Sequence, residues 1–186
     1  MNKILFINAC VRENSRTYTL AQKTVSLLDG TVSEVRTENI LPLNSEGLRL
    51  REENLAKENF DASEFELARE FSEADEVVIA APYWDLSHPA SLKAYLEQIC
   101  ICGITFSYGD GGIPKGMCNA KRLIYVTTAG GYIGDFNFGF DYVSALAKGL
   151  FGIKETLFFS AEGLDIHGNN PEKILKTTEK EITKKL

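Results

Sequence analysis

The chain has 186 residues, enough for one domain with a substantial core that needs neither disulfide nor metal to hold it. Its formal net charge of -6, with 25% charged and 44% hydrophobic residues, argues against a general nucleic-acid or anionic-membrane binder, which needs a basic surface. No run reaches the roughly 18 apolar residues of a membrane span and the opening MNKILFINACVRENSR lacks the layout of a secretion signal, so a soluble cytoplasmic protein is expected.

Taken in order, KILFINA (3–9) reads as a first strand, apolar almost throughout, as in a strand covered on both faces. SRTYTLAQKTVSLLDG follows with helical spacing at Leu20, Thr24, Leu27 and Leu28, and Gly30 as its stop. TVSEVRTE alternates like a second strand, and residues 41–62, polar and irregular, read as a long loop or broken helix. ASEFELAREFSEAD places Phe65, Ala68 and Phe71 on one helical face. The strand EVVIAA and the helix PASLKAYLEQI come next, with Leu92, Tyr95, Leu96 and Ile99 inward. RLIYVTTAGG is a fourth strand ending in small residues, FDYVSALAKGLFG a helix, KETLFFSAEG a fifth strand, and PEKILKTTEKEITKKL a capped last helix.

Strands alternating with helices predict a doubly wound, five-stranded parallel α/β sheet with helices on both faces, in the order 2-1-3-4-5, forming one domain over residues 1–186. Ligands of such sheets sit beyond the carboxyl ends of the strands, where the strand order switches. That brings together the loops NACVRENSRT, APYWDLSHP and TTAGGYIG, which follow the first, third and fourth strands.

The first loop has neither G-x-G-x-x-G nor G-K-[ST], so it is not a dinucleotide fingerprint or a nucleotide-hydrolysing loop. Ser15 and Thr17 stand instead at the start of a helix beside Arg12 and Arg16. Hydroxyls, backbone N–H groups and the positive end of a helix dipole suit a phosphate monoester; the plainer alternative is that Ser15 or Thr17 only caps the helix. Cys10 to Arg16 is also C-x5-R, similar to the phosphate loop of low-molecular-weight tyrosine phosphatases, in which a thiolate attacks phosphorus. Against that reading, the loop has no glycine for a tight cradle, it carries Glu13, and no Asp-Pro acid follows later. The other cysteines, Cys100, Cys102 and Cys118, have no histidine partner at metal-ligand spacing and read as small buried thiols, kept reduced.

The aromatic second loop fits a flat ring. Tyr83, Trp84 and Leu86 offer apolar flanks, Pro82 stiffens the turn, and His88 and Pro89 open a helix. On the opposite edge Gly130 and Gly131 permit close backbone approach. An isoalloxazine needs such flanks and N–H donors along the edge that becomes negative on reduction.

The stretch APYWDLSHPASLKAYLEQICICGITFSY, with PKGM, TTAGG and FFSAEG, resembles the FMN-dependent NADH-quinone oxidoreductases and azoreductases of the flavodoxin-like superfamily over nearly the full chain. The resemblance implies non-covalent FMN, NADH or NADPH as co-substrate, and a quinone or azo acceptor. It implies a phosphate held by Cys10, Ser15, Arg16 and Thr17, with Arg12 beside them. The ring would lie among Pro82, Tyr83, Trp84, Asp85, Leu86, Thr128, Ala129, Gly130, Gly131 and Tyr132, with Tyr108 toward the substrate. Cys10 stands where a serine is usual, Asp85 for an asparagine, and Ala129 for an arginine or similar polar residue. A flavodoxin-like electron carrier is the further alternative. The resemblance also suggests a homodimer, and Phe136, Phe138, Phe140, Tyr142, Leu146 and Phe151 hold more aromatic and apolar surface than one helical face turns inward.

Overall fold

The computed structural model describes the whole chain, Met1–Leu186. Its strands are β1 (Lys3–Asn8), β2 (Thr31–Arg36), β3 (Glu76–Ala80), β4 (Phe106–Tyr108), β5 (Pro114–Gly116), β6 (Arg122–Thr128) and β7 (Glu155–Ala161). Its helices are α1 (Arg16–Ser26), α2 (Ser45–Ala56), α3 (Glu66–Glu73), α4 (Ala90–Ile99), α5 (Phe138–Leu146) and α6 (Pro171–Lys185). Five strands pair in parallel in the order β2-β1-β3-β6-β7, which is the order expected from the alternation of elements.

Both faces of the sheet are covered, which is why its central strands are apolar at consecutive positions. Leu5, Ile7, Val77, Ile79, Leu123 and Tyr125 join Phe65, Phe71 and Leu92 of the α3 and α4 side in one core. Ile4, Phe6, Val78, Ala80, Ile124 and Val126 pack with Leu20 of α1 and Ile182 of α6 in the other. Each fully buried Val, Leu, Ile or Phe side chain contributes roughly 1.5–3 kcal/mol of transfer free energy. Edge strand β2 pairs only with β1 and is largely exposed, consistent with its mixed composition.

Four local features depart from the sequence reading. Residues 41–62 contain a regular twelve-residue helix, α2, that buries none of its residues. Its apolar contact is slight, with Leu55 packed against the core only in part, and polar contacts supply the rest of its attachment. Asn44 caps it by accepting from Gly47 N–H at 2.8 Å. Arg51 donates to the carbonyls of Glu97 at 3.1 Å and Cys100 at 2.5 Å, where α4 ends. Gly30 lies beyond the end of α1, which is capped at Leu27. Glycine is required there because a Cβ would stand 2.4 Å from the Asn2 carbonyl oxygen. Pro89 precedes the first residue of α4 instead of occupying it. Finally, β4 and β5 form an antiparallel hairpin outside the main sheet, too short for periodicity to reveal.

Candidate functional site

A cleft of about 170 Å³ opens at the carboxyl ends of β1, β3 and β6. Strand order dictates this, because β1 leads into α1 on one face while β3 leads into α4 on the other. The β1–α1 connection lines it with Val11, Arg12, Asn14 and Ser15, and α1 adds Arg16 and Thr17. Pro82, Tyr83 and Trp84 come from the loop after β3, and Thr128, Ala129 and Gly130 from the end of β6.

Ser15 is the N-cap of α1: its hydroxyl accepts from Tyr18 N–H at 3.2 Å and can still donate its own proton, to the neighbouring Cys10 sulfur or to a bound group. The N–H groups of Arg16 and Thr17, at the first two helical positions, have no intrahelical acceptor. Thr17, almost wholly buried, shares a hydrogen bond of 2.6 Å between its Oγ1 and Oγ1 of Thr128, which ties the helix to the end of β6. Arg16 Nη2 donates to Asp165 Oδ1 at 2.8 Å, whereas Arg12 takes part in no ion pair.

Tyr83 N–H donates to the Thr128 carbonyl at 3.1 Å, so the aromatic loop is stitched to β6 beside the cleft. The chain then reverses in a tight turn. Trp84 and Ser87 exchange backbone hydrogen bonds of 3.0 and 2.7 Å, with Asp85 and Leu86 at its tip at φ of 49° and 67°. Aspartate tolerates left-handed backbone; leucine does so at a cost of about 1–2 kcal/mol. Backbone strain of this kind persists where surrounding contacts over-determine it, commonly at ligand sites. This turn carries the tryptophan to the cleft edge.

Several residues expected at the site stand outside the cleft lining. Of the cysteines expected to be buried, Cys102 is exposed and Cys100 and Cys118 are half-buried, on loops outside the sheet. Cys10 is buried, with its Sγ–H directed at the Ala80 carbonyl at 3.7 Å and its N–H donating to Asn8 Oδ1 at 2.9 Å. Burial pushes its thiol up to about 11, against smaller opposing effects of the Ser15 hydrogen bond and Arg36. It is therefore a neutral thiol at physiological pH, not a thiolate nucleophile. Asp85, Leu86, Gly131 and Tyr132 follow lining residues in the chain but are not part of the lining, and Tyr132 is strongly exposed. Tyr108 is also exposed, on β4, with its ring edge-on to Phe106 at 5.5 Å. The start of α4 faces a neighbouring groove, lined by Ser87, His88, Ala90, Lys93 and Phe138. Burial lowers the pKa of His88 there, and its Nδ1 lies 3.1 Å from the Pro89 carbonyl.

Sequence reasoning missed the loop after β7. Leu164 N–H donates to the Ala129 carbonyl at 3.2 Å and Asp165 N–H to the Gly130 carbonyl at 2.9 Å, so this loop closes the cleft wall. Its position at the carboxyl end of the strand beside β6 is a usable signal, but nothing in the composition of EGLD marks it.

The flavodoxin-like fold family model matches residues 2–186. The chain belongs to this family. Among the relatives of this flavodoxin-like protein, FMN-dependent NADH:quinone oxidoreductase 2 of Clostridium acetobutylicum is 32% identical, covering 96% of this chain and 94% of the relative. The FMN-dependent NADH:quinone oxidoreductase of Clostridium beijerinckii is 33% identical over 95% and 93%. The fold is shared with an azoreductase from Bacillus anthracis, at a TM-score of 0.84 and 23% identity, covering 99% of this chain and 98% of that one. It is shared equally with an FMN-dependent NADH-azoreductase of the same organism in complex with FMN, at a TM-score of 0.83 and 21% identity over 100% and 97%.

Proposed function

We propose that this flavodoxin-like protein is an FMN-dependent NADH oxidoreductase that reduces quinones, azo compounds or both, with residues 1–186 forming its single flavin-binding domain. One observation carries the reading: donors suited to a phosphate monoester and the apolar flank for a flat ring open into the same cleft. The family to which the chain belongs supports it.

The residues present fit FMN. Arg12, the Ser15 hydroxyl and the free N–H groups of Arg16 and Thr17 hold the phosphate at the positive end of the α1 dipole. Pro82, Tyr83 and Trp84 flank the ring on one side, and Thr128, Ala129 and Gly130 approach it from the other. When bound, FMN supplies the acceptance of hydride from a nicotinamide and its transfer to the acceptor. The chain's part is to bind, orient and stabilise negative charge through backbone N–H groups, with no covalent chemistry of its own. Cys10 packs beneath the loop as a neutral thiol, which counts against a phosphatase.

We assign the working unit as a homodimer. A cleft of about 170 Å³ is small beside the roughly 300–1,000 Å³ of ligand pockets, so one chain encloses only part of the cofactor. Phe136 and Phe138, each 54% exposed with ring centroids 6.1 Å apart, offer apolar surface on a segment tied to the cleft, since the cleft residue Tyr83 donates through Oη to the Phe136 carbonyl at 2.9 Å. Phe140 and Phe151 are not part of that surface: Phe140 packs on Phe158 at 4.8 Å and Phe151 on Phe71 at 4.8 Å. Tyr108 is proposed at the substrate side of the shared pocket.

Reconstituting the apoprotein with FMN and following NADH oxidation with a quinone or an azo dye tests the function. A yellow protein that turns over NADH only with an acceptor supports it. A colourless protein that hydrolyses an aryl phosphate through Cys10 sinks it.

A further inference from the structure

The charged residues lining the cleft are Arg12, Arg16 and Asp165. Asp165 is an unexpected residue in a place where a dianion is to bind. Its position is set by two hydrogen bonds and a close fit against Gly130. Its N–H holds the Gly130 carbonyl at 2.9 Å, and Oδ1 accepts from Arg16 at 2.8 Å. Its Oδ2 fills the space beside Gly130, where a Cβ would stand only 2.5 Å away. The glycine at position 130 thus makes room for this carboxylate.

We propose, resting on the FMN reading above, that Asp165 is the residue that limits affinity for the cofactor's phosphate. It occupies the Arg16 guanidinium and sets a negative charge on the wall of the cleft. The two arginines are then not equivalent. Arg16 has its charge compensated, and Arg12 provides the only uncompensated positive charge in the lining. Electrostatic attraction for the phosphate is that of one cation instead of two, and the added repulsion falls on the phosphate alone, not on the uncharged ribityl and ring portions. Both Arg16 and Asp165 retain substantial solvent exposure, so solvent screening keeps each effect modest.

Fluorescence titration of FMN and of riboflavin into the apoprotein separates phosphate effects from ring effects. Asp165→Asn is expected to bind FMN about fivefold more tightly and Arg16→Gln about fivefold more weakly. The double variant Asp165→Asn/Arg16→Gln, which restores the original local charge, is expected within about twofold of the wild type. Arg12→Gln is expected to weaken FMN binding more than Arg16→Gln does. Riboflavin affinity should be the same in all of them. Weaker FMN binding by Asp165→Asn would overturn the proposal, since it makes the carboxylate a support for the phosphate site. A double variant as weak as Arg16→Gln alone would overturn it too, by giving Arg16 a phosphate contact independent of Asp165. Asp165→Ala serves as a second removal of the charge and must move FMN affinity in the same direction as Asp165→Asn. Wild-type protein that binds riboflavin and FMN equally refutes the inference while leaving a flavoprotein. Wild-type protein that binds neither flavin refutes the FMN reading and this inference together.

Discussion

Thr17, in the first turn of α1, and Thr128, the last residue of β6, join hydroxyls at 2.6 Å across 111 residues of sequence. Both residues line the cleft, and the contact holds the helix N-terminus against the strand that leads into Ala129 and Gly130 of the lining. Because only one hydroxyl proton is used between them, the other remains free to donate to a bound group.

Replacing Ser15 and Thr17 together by alanine removes both this link and the α1 cap. We expect a loss of stability of about 1 kcal/mol from the cap and FMN binding at least tenfold weaker. Urea melts measure the first and an FMN titration of the apoprotein the second. Unchanged FMN affinity would place the phosphate elsewhere.

Cys10 is predicted to shape stability at high pH. Its thiol ordinarily ionises near 9.0 and is raised by burial to about 11 in the folded chain. The folded state therefore holds this proton more tightly than the unfolded state. The contribution is complete below pH 9 and disappears as pH rises to 11, amounting to about 2–3 kcal/mol in total. Comparing urea melts at pH 8 and pH 10.5, the wild type should lose more stability than Cys10→Ala does. Equal losses in the two proteins would contradict this. Native Cys10 should also resist iodoacetamide at pH 7.5, and Cys10→Ser should keep quinone reduction.

Gly116, which ends β5, is fitted against the turn that follows α5. A Cβ at this position would lie 2.2 Å from Gly152 N and 2.3 Å from the Phe151 carbonyl carbon, where backbone cannot yield easily. Gly116→Ala should cost at least about 2 kcal/mol and loosen the β4–β5 hairpin. Thermal melting and proteolysis within residues 106–116 report the two effects. A variant as stable as the wild type would show that the hairpin shifts freely.

Phe136→Ser with Phe138→Ser removes exposed apolar surface while leaving both cores intact. Light scattering should find a shift toward monomer, and NADH-quinone activity should fall on dilution more steeply than in the wild type. A wild-type chain that is monomeric and fully active at every concentration rules out the shared pocket.

The doubly wound sheet and its strand order were legible in the chain because buried parallel strands carry uninterrupted apolar runs and amphipathic helices repeat every 3.6 residues. Ser15 at the start of α1 and Trp84 after β3 were legible as well, since caps and turns have local chemical signatures that need no tertiary partner. Helix α2 was not, because it buries no residue fully and rests on the Asn44 cap, on Arg51 reaching the end of α4 and on partial packing of Leu55. Nor was the difference between Arg12 and Arg16, which look alike in sequence. Only folding brings Asp165 to Arg16 across 149 residues, and only burial against Ala80 makes Cys10 a neutral packing thiol. Local patterns decide which elements form. Charge pairing and desolvation depend on which elements meet, and that is settled by the tertiary structure.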